Sequence, residues 1–241
     1  MIWKTTSSTD RLPHFAGRPL LVMRNRRARS LRLSVDPASG NVRLGLPWRQ
    51  PLRPALAWVE TRRPWVEAQL ASLPVPRPIV DGMQFSIGDD RLTLDWSPDH
   101  ARSPVRSGDR LLVGGPVEML SARVMRFLRS EALTTLSAES RALAARHGLP
   151  LPEVSVGDPR SSWGSCAVDG RIRYSWRLIL TPEYVRRSVV AHEVAHLREH
   201  HHGPAFHELA VHLLGESHAP ARQWLASHGA SLHWFGKAAD Q

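Results

Sequence analysis

His192-Glu193-Val194-Ala195-His196, with His202 six residues further on, is where residue type and spacing agree on a chemistry. Two histidines four apart lie on one face of a helix, so both imidazoles can reach a single metal ion. The glutamate beside the first can reach a water on that ion and take its proton. It would then return the proton to a leaving amine. Three histidine ligands leave a fourth position for water, the mark of a catalytic rather than a structural zinc site. The pattern also arises by chance, so its setting matters. Here Thr181-Pro182-Glu183 reads as a helix start, with a cap residue, a proline and an acid in the first turn. Val185, Val189 and Val194 give that helix a buried side.

The third ligand follows from where the helix ends. On a straight helix His200 shares the stripe of His192 and His196, but it lies about 12 Å along the axis from His192. Zinc held about 2 Å from the first two nitrogens is out of its reach. His202 comes round only if the helix stops near residue 200, and Gly203-Pro204 forces a stop close by. His202 is therefore the first choice and His201 the second.

The elements that must carry this site can be read along the chain. Residues 1–19 are polar with scattered prolines and read as loosely held. Leu31, Leu33 and Val35 alternate with polar residues, a turn follows at 36–41, and Val42, Leu44 and Leu46 resume, which predicts a β-hairpin. Residues 52–73 have helical spacing, interrupted by Pro64. Prolines 74, 76 and 78 form a stiff connector. Short strands are expected at Gln84–Ile87, Leu92–Trp96 and Leu111–Val113. Gly114-Gly115-Pro116 opens a long helix whose stripe includes Val117, Leu120, Val124, Leu128, Leu136 and Leu143, and Gly148 stops it. Val154–Val156 and Arg171–Leu178 read as strands, the second from a clear alternation. Helices are expected from Pro204 to Gly215 and over Ala219–His228. No internal repeat is visible. The fold class is α+β. A β-rich N-terminal region with one helix is expected over 1–113, and the catalytic domain over 114–241.

Composition bounds the possibilities. The chain has 241 residues, 42% hydrophobic and 22% charged, as in ordinary globular proteins. Its single cysteine, Cys166, excludes an internal disulfide and suits a reducing cytoplasm. Met1–Arg11 lacks the apolar run of a signal peptide, and no stretch is long and apolar enough to span a membrane. A cytoplasmic protein without membrane association is the expectation. The net charge of +10 is concentrated: residues 1–65 hold 13 Lys and Arg against 3 Asp and Glu, and the remainder balances at 19 against 19. Arg24-Asn25-Arg26-Arg27-Ala28-Arg29 is the densest part. One reading is a solvated face; the sharper one is a patch for nucleic acid or another polyanion.

The chain resembles the YgjP-like, SprT-related metallopeptidases. The likeness is carried by Trp163-Gly164-Ser165-Cys166, Tyr174-Ser175-Trp176-Arg177-Leu178-Ile179-Leu180, Val190-Ala191-His192-Glu193-Val194-Ala195-His196-Leu197 and His202-Gly203-Pro204-Ala205-Phe206, in that order and spacing. It covers residues 150–210 closely and 20–236 loosely. It implies a zincin-like catalytic domain with an active-site helix on a small sheet, and His202 as third ligand. Two positions depart from the pattern. Ser162 stands where such proteins often have arginine, and His207 where they usually have tryptophan; both would reshape the substrate cleft. The ligand spacing is also that of the metzincins, which carry a glycine where this chain has Glu199.

The resulting expectation is a zinc-dependent peptidase acting on peptides or proteins, with Zn2+ held by His192, His196 and His202 and Glu193 as base. Trp163, Gly164 and Ser165 would offer a strand edge to an extended substrate. Cys166 reads as an inert thiol, with a metal ligand or nucleophile as its alternatives. Tyr174 and Tyr184 are expected in the core, although either could assist an oxyanion. Glu199 and Glu208 could orient ligand histidines, or simply face solvent. Three other functions stand beside the peptidase: a nucleotide phosphohydrolase using the same metal and water, a protease associated with DNA, and a metal-binding module without activity. Glu193 argues against the last.

Overall fold

The computed structural model describes residues 14–238. Residues 1–13, most of the stretch read as loosely held, lie outside them. The chain forms two compact units, Met1–Val75 and Pro76–Gln241. The division falls in the proline connector.

The first unit is a four-stranded sheet with two short helices. Its strands are β1 (His14–Phe15), β2 (Arg18–Asn25), β3 (Arg32–Val35) and β4 (Val42–Pro47), in the order β1-β2-β4-β3. The expected hairpin is β3–β4, paired antiparallel from Arg32↔Gly45 to Val35↔Val42. β1 and β2 were not expected, and residues 14–19 are therefore not loose. β2 lies parallel to β4, with Leu20 opposite Val42 and Asn25 opposite Pro47. Pro64 has the expected effect, dividing the helical stretch into α1 (Leu52–Glu60) and α2 (Arg63–Ala71). Leu20, Val42, Leu44 and Leu46 meet Ala55, Val59 and Val66 in a closed apolar core.

The second unit begins with another four-stranded sheet: β5 (Gln84–Ile87), β6 (Asp90–Trp96), β7 (Val105–Ser107) and β8 (Arg110–Val113), ordered β5-β6-β8-β7. This is the topology of the first sheet over again. In each, an outer hairpin runs antiparallel on either side of a central parallel pair. The sequence shows no repeat because strand pairing constrains only the alternation of apolar residues, not their identity. Leu92, Leu94, Leu111 and Val113 are fully buried in one core with Leu128, Trp176 and Phe235. Residues 84–113 thus share a core with the motif-bearing part of the chain.

The long helix, α3 (Leu120–Arg146), starts after a 3-10 turn at Val117–Met119. Its buried stripe is a strict four-residue series, Leu120, Val124, Leu128, Ala132, Leu136, Ser140 and Ala144. Val117 lies outside the stripe and is exposed. Gly148, at φ 63°, gives the left-handed stop that the sequence predicts. A three-stranded sheet follows, β9 (Val154–Gly157), β10 (Gly164–Cys166) and β11 (Ile172–Ser175), with β10 at one edge and β11 in the middle. The strand expected to reach Leu178 stops at Ser175. Trp176–Leu180 form a 3-10 helix buried on every side, including Arg177, so Arg171 and Arg173 face solvent as the alternation predicts while Ser175 and Arg177 do not.

Three helices complete the unit: α4 (Glu183–Ala195), α5 (Pro204–Leu214) and α6 (Ala219–Leu232). The start of α4 differs from expectation. Thr181 Oγ1 donates to the Leu178 carbonyl at 2.8 Å and does not cap. Instead the Glu183 N–H donates to Asp89 Oδ1, in the β5–β6 turn, at 3.1 Å. Arg186, buried on α4, binds Glu139 of α3 at 2.8 Å and fixes the two helices together. Gly215 ends α5 in the left-handed conformation. α6 runs to Leu232, beyond the expected His228, and Trp234 and Phe235 behind it are buried core residues rather than a tail. Among the described residues, no helix is long and apolar enough to cross a membrane.

Candidate metal centre

His192 lies in the last turn of α4, and His196 is the residue on which that helix ends. The helix stops earlier than the sequence suggests. After Ala195 the chain tightens, with Leu197 and Arg198 bonding three residues back to Val194 and Ala195 at 3.1 Å. It then reverses into α5. The reversal brings His202 back over the helix end, so that nitrogens of His192, His196 and His202 all lie within 4.8 Å of one another. His192 Nε2 and His202 Nε2 are 3.1 Å apart. Nitrogens about 2.0–2.1 Å from a tetrahedral zinc stand about 3.3 Å apart, so the spacing suits one ion. His200 and His201 are exposed and are not in the group.

Each imidazole is positioned by something the motif does not mention. His196 Nδ1 donates to the main-chain carbonyl of Glu199 at 2.9 Å. That fixes the tautomer and leaves Nε2 with its lone pair toward the group. Glu199 therefore orients His196, but through its backbone and not its carboxylate. Phe206, buried on α5, touches all three rings: it stacks on His196 at 4.4 Å and meets His192 and His202 edge-on at 4.9 and 4.6 Å. Burial, reinforced by the neighbouring imidazoles, brings His192 down to about 4. Burial also lowers His196. Both are thereby kept neutral, the form that binds metal.

Glu193 is buried, and burial raises its carboxyl to about 7. It shares a cleft of about 540 Å³ with His192, Trp163, Gly164 and Phe206. β10 brings Gly164 against it: a Cβ on Gly164 would lie 2.6 Å from Glu193 Oε1. The glycine is thus required by close approach and not by turn geometry. Trp163 is wedged against Gly229 of α6 and lies 5.5 Å from the His233 ring. Ser165 is exposed on the edge strand. Ser162 and His207, the two departures from the family pattern, both line the cleft.

Two further cleft residues gave no signal in the sequence. Ser188, one helical turn before His192, lies 2.7 Å from His218 Nδ1 at the start of α6, while His218 Nε2 is buried without a partner. Only tertiary packing brings these two together.

The remaining candidates fall away. Cys166 lies outside the histidine group, and burial, aided by Glu193 and Asp169, pushes its thiol up to about 11. It is neither a ligand in that group nor a ready nucleophile. Tyr174 is buried with its hydroxyl 3.0 Å from Ser140 Oγ, a core role. Tyr184 is 40% exposed rather than in the core. Glu208 faces solvent.

Over residues 29–228 the chain matches the family model described as YgjP-like, metallopeptidase domain. No curated protein and no solved structure is significantly similar to it.

Proposed function

The chain belongs to the YgjP-like metallopeptidase family, and on that premise we propose that it is a zinc-dependent peptidase with His192, His196 and His202 as ligands and Glu193 as general base. One observation carries the reading: three imidazoles converge beside a buried carboxylate, and that carboxylate opens onto a cleft bounded by a strand edge.

A bound zinc ion supplies a Lewis acid for the substrate carbonyl and lowers the pKa of water. The chain's own residues do the rest. Glu193, with a pKa near neutrality, suits both halves of a proton relay. It takes a proton from water as the water oxygen attacks the carbonyl carbon. When the C–N bond breaks, it gives that proton to the departing nitrogen. Gly164 leaves room for the carboxylate, and β10 offers main-chain groups to an extended peptide lying along its open edge. Val189, Phe206, Val211 and Leu225 make the cleft wall largely apolar, which favours a substrate with an apolar side chain near the scissile bond.

The test is Glu193→Gln, assayed on a peptide library with metal content measured alongside. The variant should keep its metal and lose about 10²–10⁴-fold in rate. Full activity in it, or hydrolysis of nucleoside triphosphates in the absence of any peptide cleavage, would overturn the proposal.

A further inference from the structure

We propose that the N-terminal unit carries a binding face for single-stranded nucleic acid, formed where the chain leaves β2 and β4. These two strands are parallel and end level, with Asn25 opposite Pro47. The segments that follow them, from Arg26 and from Trp48, therefore emerge side by side. Arg24 ties them together, its Nη1 donating to the carbonyls of Trp48 at 2.7 Å and Gln50 at 2.9 Å. The Arg26 guanidinium lies 5.2 Å from the centre of the Trp48 ring. Arg26, Trp48 and Arg49 border a shallow depression of about 510 Å³.

Charge and exposure point to the occupant. Arg24, Arg26, Arg27, Arg29 and Arg49 are all exposed, and none has an acidic partner among the described residues. The unit's described acids are engaged elsewhere, Asp36 with Arg43, and Glu60 and Glu67 with Arg63. Trp48 is 48% exposed amid these guanidiniums, the placement a stacking platform requires. Phosphates account for the arginines, and a base stacked on the ring accounts for the tryptophan. Unpaired bases offer their π-faces to such a platform; a duplex keeps them stacked inside. That favours a single strand over a duplex, and over an acidic polypeptide that has no ring to stack.

The experiment is fluorescence anisotropy of the full-length protein with a labelled 12-nucleotide mixed-sequence single strand, the matching duplex and polyglutamate, between 50 and 200 mM salt. The single strand should bind most tightly. Log affinity should fall with log salt at a slope of about −2 to −3, as expected for three or four neutralised phosphates. Trp48→Ala should weaken binding about tenfold or more, and Trp48→Tyr should restore most of it. Arg26→Ser with Arg49→Ser should flatten the slope by about 1.4 and carries the test should Trp48→Ala fail to fold. Binding should survive EDTA, which separates this face from the histidine cluster. Equal affinity for the three probes, indifference to Trp48→Ala in a folded protein, or loss of binding with EDTA would each overturn the proposal.

Discussion

The main chain at Gly164 passes so close to Glu193 that a β-carbon there would lie 2.6 Å from both Cγ and Oε1 of that side chain. The contact is with the part of Glu193 that meets water in the proposed reaction. Gly164→Ala should therefore displace the carboxylate without touching the histidines. The expected result is an unchanged metal content and a fall in kcat/KM on the order of 10²-fold, the usual cost of about 1 Å of misplacement. Wild-type activity in Gly164→Ala would show that the carboxylate has slack and that its position is not critical.

Glu199 and His202 make opposite predictions although both lie in the reversal after α4. His202 contributes a ring nitrogen to the cluster, while Glu199 contributes only its main-chain carbonyl. His202→Ala should lower zinc affinity by more than about a hundredfold, beyond the range seen on losing an outer hydrogen bond. Glu199→Ala keeps the carbonyl and should change affinity by no more than about twofold, like other surface substitutions. Competition titration against a chelating dye measures both. A large effect of Glu199→Ala would mean that its carboxylate matters after all.

Phe206 has two roles that substitution can separate. It is a buried core residue and also the surface against which all three imidazoles rest. Phe206→Ala should destabilise the metal-free protein by about 3–5 kcal/mol in urea denaturation. Phe206→Leu retains most of the burial and should cost less stability, but it removes the ring faces and should still weaken zinc binding. Unaltered zinc affinity in Phe206→Leu would reduce the residue to core packing.

The Cys166 thiol, raised by burial to about 11, sets a pH dependence. The upward shift means that the thiol holds its proton through neutral pH, with a thiolate fraction on the order of 0.1% at pH 8. Its alkylation by iodoacetamide should reach half its maximal rate near pH 11 rather than near the ordinary thiol value of about 9. Cys166→Ala should leave both metal content and peptidase activity as they are. A half-maximal rate near pH 9 would mean that the thiol is open to water.

What could be read from the sequence was what local spacing determines. The four-residue step from His192 to His196 fixes a shared helix face, and Gly203-Pro204 forces the chain to turn, so His202 could be chosen as the partner that returns. The reason was only partly right. The helix ends at Ala195, and the tightened turn after it depends on main-chain bonds that no residue type announces. Phe206 could be assigned to an apolar stripe, but not to the ring cluster it supports. Ser188 and His218 are 30 residues apart and become neighbours only through packing. Gly164 carried a signal, yet its cause lay in a different element. The alternation of Leu92, Leu94, Leu111 and Val113 gave strands without saying which core they would join. β2 is not legible in the sequence because Leu20-Leu21-Val22-Met23 does not alternate.

Asp89 accepts a bond from the first residue of α4, the helix that carries His192 and Glu193, from a turn 94 residues earlier in the chain. A helix capped by its own neighbours can mature early and alone. This one depends on a contact of long sequence separation, and such contacts form late because their loop entropy must be overcome first. Competence to hold metal should then be gained near the end of folding, together with the docking of a distant hairpin. Zinc uptake during refolding should consequently lag behind the appearance of helical signal, making the ion a reporter on completion of the whole second unit.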